Sequence, residues 1–154
     1  MIYTDDKIEE ILYRENIKIP SFSHRVSAFI IDIFLVVLIT WGVYINFLST
    51  SSSDIQTKIY SIQKLILIYF FLELSYEVIC LRYLSASIGK MIFGIKVISL
   101  LDLDRPVLKT IFQRSTLKVF EEIFGFVLFI FAIDNRFYRG LHDKVSKTLV
   151  VSDR

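Results

Sequence analysis

The chain has 154 residues, one domain's worth, with 54% hydrophobic residues and a formal net charge of only +2. A mean hydropathy of +0.56, with 14 Phe but five Gly and two Pro, is too apolar for an ordinary soluble domain and points to the membrane class. The small net charge provides no global field for nucleic acid, and the single cysteine, Cys80, excludes an internal disulfide or a cysteine metal cluster.

Residues 1–20 form a segment apart from the rest. The opening MIYTDDKIEEILYREN is acidic and offers no apolar core for a cleavable signal peptide. Ile8, Ile11, Leu12 and Glu15 fall at helical spacing, with Asp5 and Asp6 suited to the N-terminus and Arg14 to the end. The expectation is a short amphipathic helix over residues 5–16, stopped by Pro20 and resting on a cytoplasmic membrane face.

Residues 21–151 read as a membrane domain. From Val26 to Leu48 there is one charge, Asp32, in a run long enough to cross a hydrocarbon core of ~30 Å. Trp41 and Tyr44 lie toward its far end, where interfacial aromatics are favoured. A second apolar run between Lys64 and Arg82 also has the length to span, but contains Glu73 and Glu77; Cys80 within it reads as a small core residue. Beyond it, IKVIS is β-prone and DLDRP reads as a turn. The pattern from Val107 to Ile133 is helical, yet only Ile123 to Ile133 is free of charge, too short for a normal span and suited to a re-entrant element bent near Glu121–Gly125. The tail ends in a second β-prone piece, TLVV.

Basic residues orient the chain. Lys58 is the only one between Ser49 and Ser61, whereas Arg82, Lys90, Lys96, Arg105, Lys109 and Arg114 crowd the middle segment and five more follow Ile133. Both termini and the middle segment are therefore expected on the cytoplasmic side, where IKVIS and TLVV can pair as a small sheet. The fold expected is an all-α membrane protein with two full transmembrane helices, a broken or re-entrant third hydrophobic element and this two-stranded β element.

The buried charges pose the functional question. Arg25 and Asp32 are seven residues apart, on one face of one helix, with Asp32 about 10 Å deeper. An ionised carboxylate at a helix centre costs about 2.5–3.5 kcal/mol on insertion scales, so it needs a partner. Glu73 and Glu77 are one turn apart, with Tyr69 and Tyr76 on the same side, giving a polar stripe. These acids are expected to face one another inside the bundle. They either pair with Arg25 or Arg114 to fix helix register, or form an ion or proton path in which two close carboxylates cannot both ionise cheaply. The motifs GxSxG, HExxH and CxxC are absent, and a neighbouring His142–Asp143 pair is usually structural, so no enzyme activity and no cofactor are expected. Lys90 in SIGK lacks the rest of a P-loop.

RVSAFIID, SIGKMIFGIKVI and RGLHDKVSKTLVV, in that order, resemble the RDD family of bacterial membrane proteins. The resemblance implies that Arg25 and Asp32 are the family's arginine and one of its aspartates. It also implies that Gly89, Lys90 and Gly94 form its middle motif, and Gly140, His142, Asp143 and Thr148 its closing motif, with Arg114 ahead of the last apolar segment. No second acid lies in the first long helix; the next is Asp54. The resemblance further implies a bacterial cytoplasmic membrane location and exchange of a monovalent cation for protons, as some members are reported to perform. On that reading Asp32, Glu73 and Glu77 carry the ion or proton, Arg25 and Arg114 are their charge partners, and two spans would need a homo-oligomer. The alternative is a non-transporting module that binds anionic lipid head groups or a partner protein through its basic inner face.

Overall fold

In a computed structural model, residues 5–48, 54–123 and 136–153 are described. Helix α1 (Asp5–Arg14) is followed by α2 (Phe22–Val43), which runs into a single π-turn at Tyr44–Leu48. Helix α3 (Ile55–Leu84), short α4 (Ile88–Ile92) and strand β1 (Ile95–Ser99) come next, then α5 (Leu108–Ile123), α6 (Leu141–Ser146) and β2 (Thr148–Ser152). The expected bend near Glu121–Gly125 is not present up to Ile123, where α5 is unbroken; residues 124–135 lie outside the described residues.

The two β-prone pieces pair as expected. β1 and β2 form an antiparallel ribbon with Val97 opposite Val150 and Ile98 opposite Leu149. An isolated two-stranded ribbon is marginal in water, and here both faces are covered. Ile98, Leu149 and Val151 pack with Ile8, Leu100 and Phe137, while Ile95, Val97 and Val150 pack with Ala28, Leu81 and Ile111. Both edges are also occupied. The N–H groups of Val97 and Ser99 donate to the carbonyls of Ser85 and Asp104, and the Ser152 N–H donates to Lys18. Such pairing removes the free edge on which another chain could add.

Helix α1 forms where its spacing predicts, but its apolar stripe is turned inward. Ile8 is fully buried against the sheet, a burial worth about 1.5–3 kcal/mol, so the helix docks on the protein body through that face. Arg136 pairs with Glu9 at 2.7 Å across the same contact.

Helix α2 leaves this body with Ser21 at its N-cap and Pro20 just before. Ile30, Phe34, Leu38, Ile39, Trp41 and Ile45 stay exposed, an apolar surface that fits lipid and not water. By length and composition, Phe22–Asn46 is the one helix among the described residues apolar enough to cross a membrane. Helix α3 has 30 residues and thus a length of about 45 Å, with Glu73 and Glu77 buried along it. Asp54 caps its start by accepting from the Thr57 N–H, and Ser85 ends it in the left-handed conformation.

A charged core and a neutral helix cap

Two polar networks lie between the helices. The first surrounds Asp32, which is 4% exposed. Its Oδ1 accepts from the Tyr76 hydroxyl at 2.7 Å and from the Gly89 N–H at 2.8 Å, and its Oδ2 accepts from the Ser87 hydroxyl at 2.5 Å. The Tyr76 oxygen in turn accepts from the Ile88 N–H at 2.9 Å. The first N–H groups of any helix lack partners within it. Asp32 and Tyr76, on α2 and α3, supply those partners to α4. A side chain at position 89 would forbid the approach, since an added Cβ would lie 2.2 Å from the Ala28 carbonyl oxygen. Gly94, with φ at 61°, then turns the chain from α4 into β1.

The second network is ionic and joins α3, α4, α5 and α6. Arg114, 1% exposed, donates to Glu77 Oε1 at 2.8 Å and to Asp143 Oδ1 at 2.9 Å. Lys118, one turn further along α5, places its ammonium 3.2 Å from Glu73, 3.3 Å from Glu77 and 3.7 Å from Glu122. The ammonium also lies 5.5 Å from the centre of the Phe29 ring. Lys90 approaches Glu77 at 3.9 Å. Thus four carboxylates and three cationic groups are held in mutual ion-pair contact. The buried Oε2 atoms of Glu73 and Glu77 and the buried Oε1 of Glu122 accept no hydrogen bond.

His142 closes the network toward β2. Its backbone N–H and its Nδ1 both meet the Glu121 carboxylate at 2.7 Å, and its Nε2 lies 3.5 Å from Asp143. The ring leans over Gly140, where a Cβ would come 2.6 Å from ring carbon Cε1. Thr148 adds a hydroxyl donor to Asp143 at 3.0 Å. Burial alone would raise the Asp143 carboxyl, but Arg114 and His142 hold it well below the usual carboxylate range. Burial, and then Arg114, lower the Lys90 ammonium to about 8. A cavity of about 90 Å³ opens beside this cluster, between Arg25 and Phe29 of α2, Lys118 and Glu122 of α5, and His142.

The matching residues span nearly the whole chain: the sequence fits the RDD family over residues 19–147. The chain belongs to the RDD family. It is therefore an RDD-family membrane protein, and its apolar α2 is the helix best suited to that setting. No curated protein and no solved structure matches it.

The geometry assigns the RDD motifs separate tasks. Arg25 does not pair with Asp32; its guanidinium donates to the carbonyls of Tyr138 and Val150, both at 2.9 Å, and so ties α2 to β2. Asp32 does not share a network with Glu73 and Glu77, which instead meet the cations of α4 and α5. Arg114 does pair with Glu77. Gly89, Lys90, Gly140, His142 and Asp143 all lie in or against these networks, whereas Gly94 serves the turn. Sequence reasoning missed Tyr76, Ser87, Lys118, Glu121 and Glu122 as site residues. A helical reading of α5 would have found three of them, because 114, 118, 121 and 122 follow one face.

Proposed function

We propose that this RDD protein is a carrier that exchanges a monovalent cation for protons at the acids around Lys118, principally Glu73 and Glu77. The observation that carries this reading is the charge balance. Among the described residues four carboxylates share three cationic partners at ion-pair distance, and the buried Oε2 of Glu73 has neither a hydrogen-bond partner nor an ion-pair contact. Arg25 and Arg139 direct donors to backbone carbonyls and act through space on Asp143, so the shortfall of positive charge falls at the acids around Lys118. One proton or one small cation supplies the missing charge, and each excludes the other from the same oxygens. Competition for one acid site is what exchange requires. Asp32 has the separate task of holding α4, and with it Lys90, against the site.

In this reading α2 and α3 both cross the bacterial cytoplasmic membrane, with Glu73 and Glu77 turned from lipid. The termini share the cytoplasmic side, which the pairing of β1 with β2 and the docking of α1 support. Two spans enclose too little for a path, so the carrier works as a homo-oligomer. His142 and Asp143 act in packing rather than catalysis.

The test is flux in proteoliposomes with an internal pH dye on addition of sodium or potassium. Ion-dependent pH change, lost in Glu73→Gln and retained in the exposed Lys144→Ala, is the expected result. No flux, alongside tight binding to anionic vesicles, would replace the carrier with a lipid-binding module. That alternative has less to work with, because Lys90 and Arg114 are drawn into the core and away from the basic surface.

A further inference from the structure

We propose that Glu73 and Glu122 hold a single proton between them, forming a carboxyl–carboxylate pair that is the proton-binding point of the buried network. The inference deepens the carrier reading, but its test does not depend on flux. Glu73 on α3 and Glu122 on α5 converge on the same Lys118 ammonium, at 3.2 and 3.7 Å, where their carboxyl groups come within hydrogen-bond reach of each other. Glu73 is 3% exposed, and its Oε2 is buried with no hydrogen-bond partner; the Oε1 of Glu122 is likewise buried without a hydrogen bond, with the Lys118 ammonium 3.7 Å away. Two acceptors in contact without a hydrogen between them repel, and neither can turn to water. One proton turns one of them into a donor and satisfies both.

The surrounding groups locate the proton at this pair. Glu77 has Arg114 at 2.8 Å and Lys90 at 3.9 Å as well as Lys118, so its charge is compensated from α4 and α5. Among the described residues Glu73 and Glu122 have Lys118 as their one cation at ion-pair distance, and that ammonium donates a hydrogen bond to Glu73 Oε1. Tyr69, one turn before Glu73, donates its hydroxyl to the Glu122 carboxyl, lies beside Glu73 and brings no positive charge. From α6, His142 is engaged by Glu121 and stands beside Asp143. From α2, Asp32 is occupied by Tyr76, Ser87 and Gly89. No cation among the described residues stands ready to take the proton's place.

Infrared absorption of the purified full chain in lipid bilayers at neutral pH provides the test. A protonated carboxyl stretch is expected in the unaltered protein, shifted by ¹³C labelling of glutamate carboxyls, which identifies it as a glutamate without any substitution. The band is expected to vanish in Glu73→Gln and in Glu122→Gln and to persist in the exposed Glu10→Gln. Glu122→Gln retains the fold, because its amide supplies the donor that the proton supplied. Absence of the band from the unaltered protein overturns the proposal, as does its survival in both core variants. A band present without flux removes the carrier and keeps the proton site; flux without a band does the reverse.

Discussion

Asp32 and Glu77 are both carboxylates buried on long helices, and they are satisfied in opposite ways. All three hydrogen-bond donors on Asp32 are uncharged, and two of them belong to the start of α4. Glu77 meets three cations from two other helices. Neutral donors complete a helix end at a fixed position, so the Asp32 region behaves as a latch. Cations fix the register of α3 against α5 and leave a balance of charge that a mobile ion can alter. The same residue chemistry thus gives a structural joint in one place and a loadable site in the other.

The sharpest way to break this contrast is Arg114→Leu. It strands Glu77 and Asp143 in the interior, and removing one partner of a buried pair costs about 3–5 kcal/mol, read as a fall in the thermal midpoint in micelles. The same contact predicts an acid limit. Asp143 titrates lower in the folded chain than in the unfolded one, so its contribution is complete above the unfolded carboxylate value of about 4. It is lost as pH falls below that value, because the unfolded chain then binds a proton the folded chain refuses. Asp143→Asn is expected to flatten this acid-side slope in unfolding midpoints measured at pH 3 and 5.

Gly89→Ala should cost about 1–3 kcal/mol, because the new methyl meets the Ala28 carbonyl and must push α4 off α2. Asp32→Asn tests the latch more gently. Asn keeps an acceptor for Gly89 and Tyr76, so a loss of about 1 kcal/mol is expected. A loss as large as that of Arg114→Leu would show that charge, and not capping, is what Asp32 provides. Glu9→Ala removes an exposed pair with Arg136 and should change stability by less than about 1 kcal/mol.

Much of the architecture was legible because it is periodic. The 3.6-residue spacing of Ile8, Ile11 and Leu12 places α1, and IKVIS and TLVV mark both strands. The charge-poor run from Val26 marks the apolar helix. The stripe of Glu73 and Glu77 correctly demanded internal partners, and Arg114 is one of them. What failed was the assumption that acids sharing a bundle share a site. Asp32 finds its donors 44 to 57 residues away, in Tyr76, Ser87 and Gly89. Helix α4 was not foreseen either. Five residues cannot sustain a helix on propensity alone; this one exists because Asp32 and Tyr76 take its free N–H groups.

The sequence by itself determined the membrane class, the long helices and the two strands, and the need of each buried charge for a partner, because hydropathy and period are local properties. Only the tertiary structure decided which partner each charge obtained: neutral donors for Asp32, carbonyls for Arg25, cations for Glu73 and Glu77. That choice depends on which turns of α2, α3 and α5 lie side by side, a distance in space that no local pattern encodes.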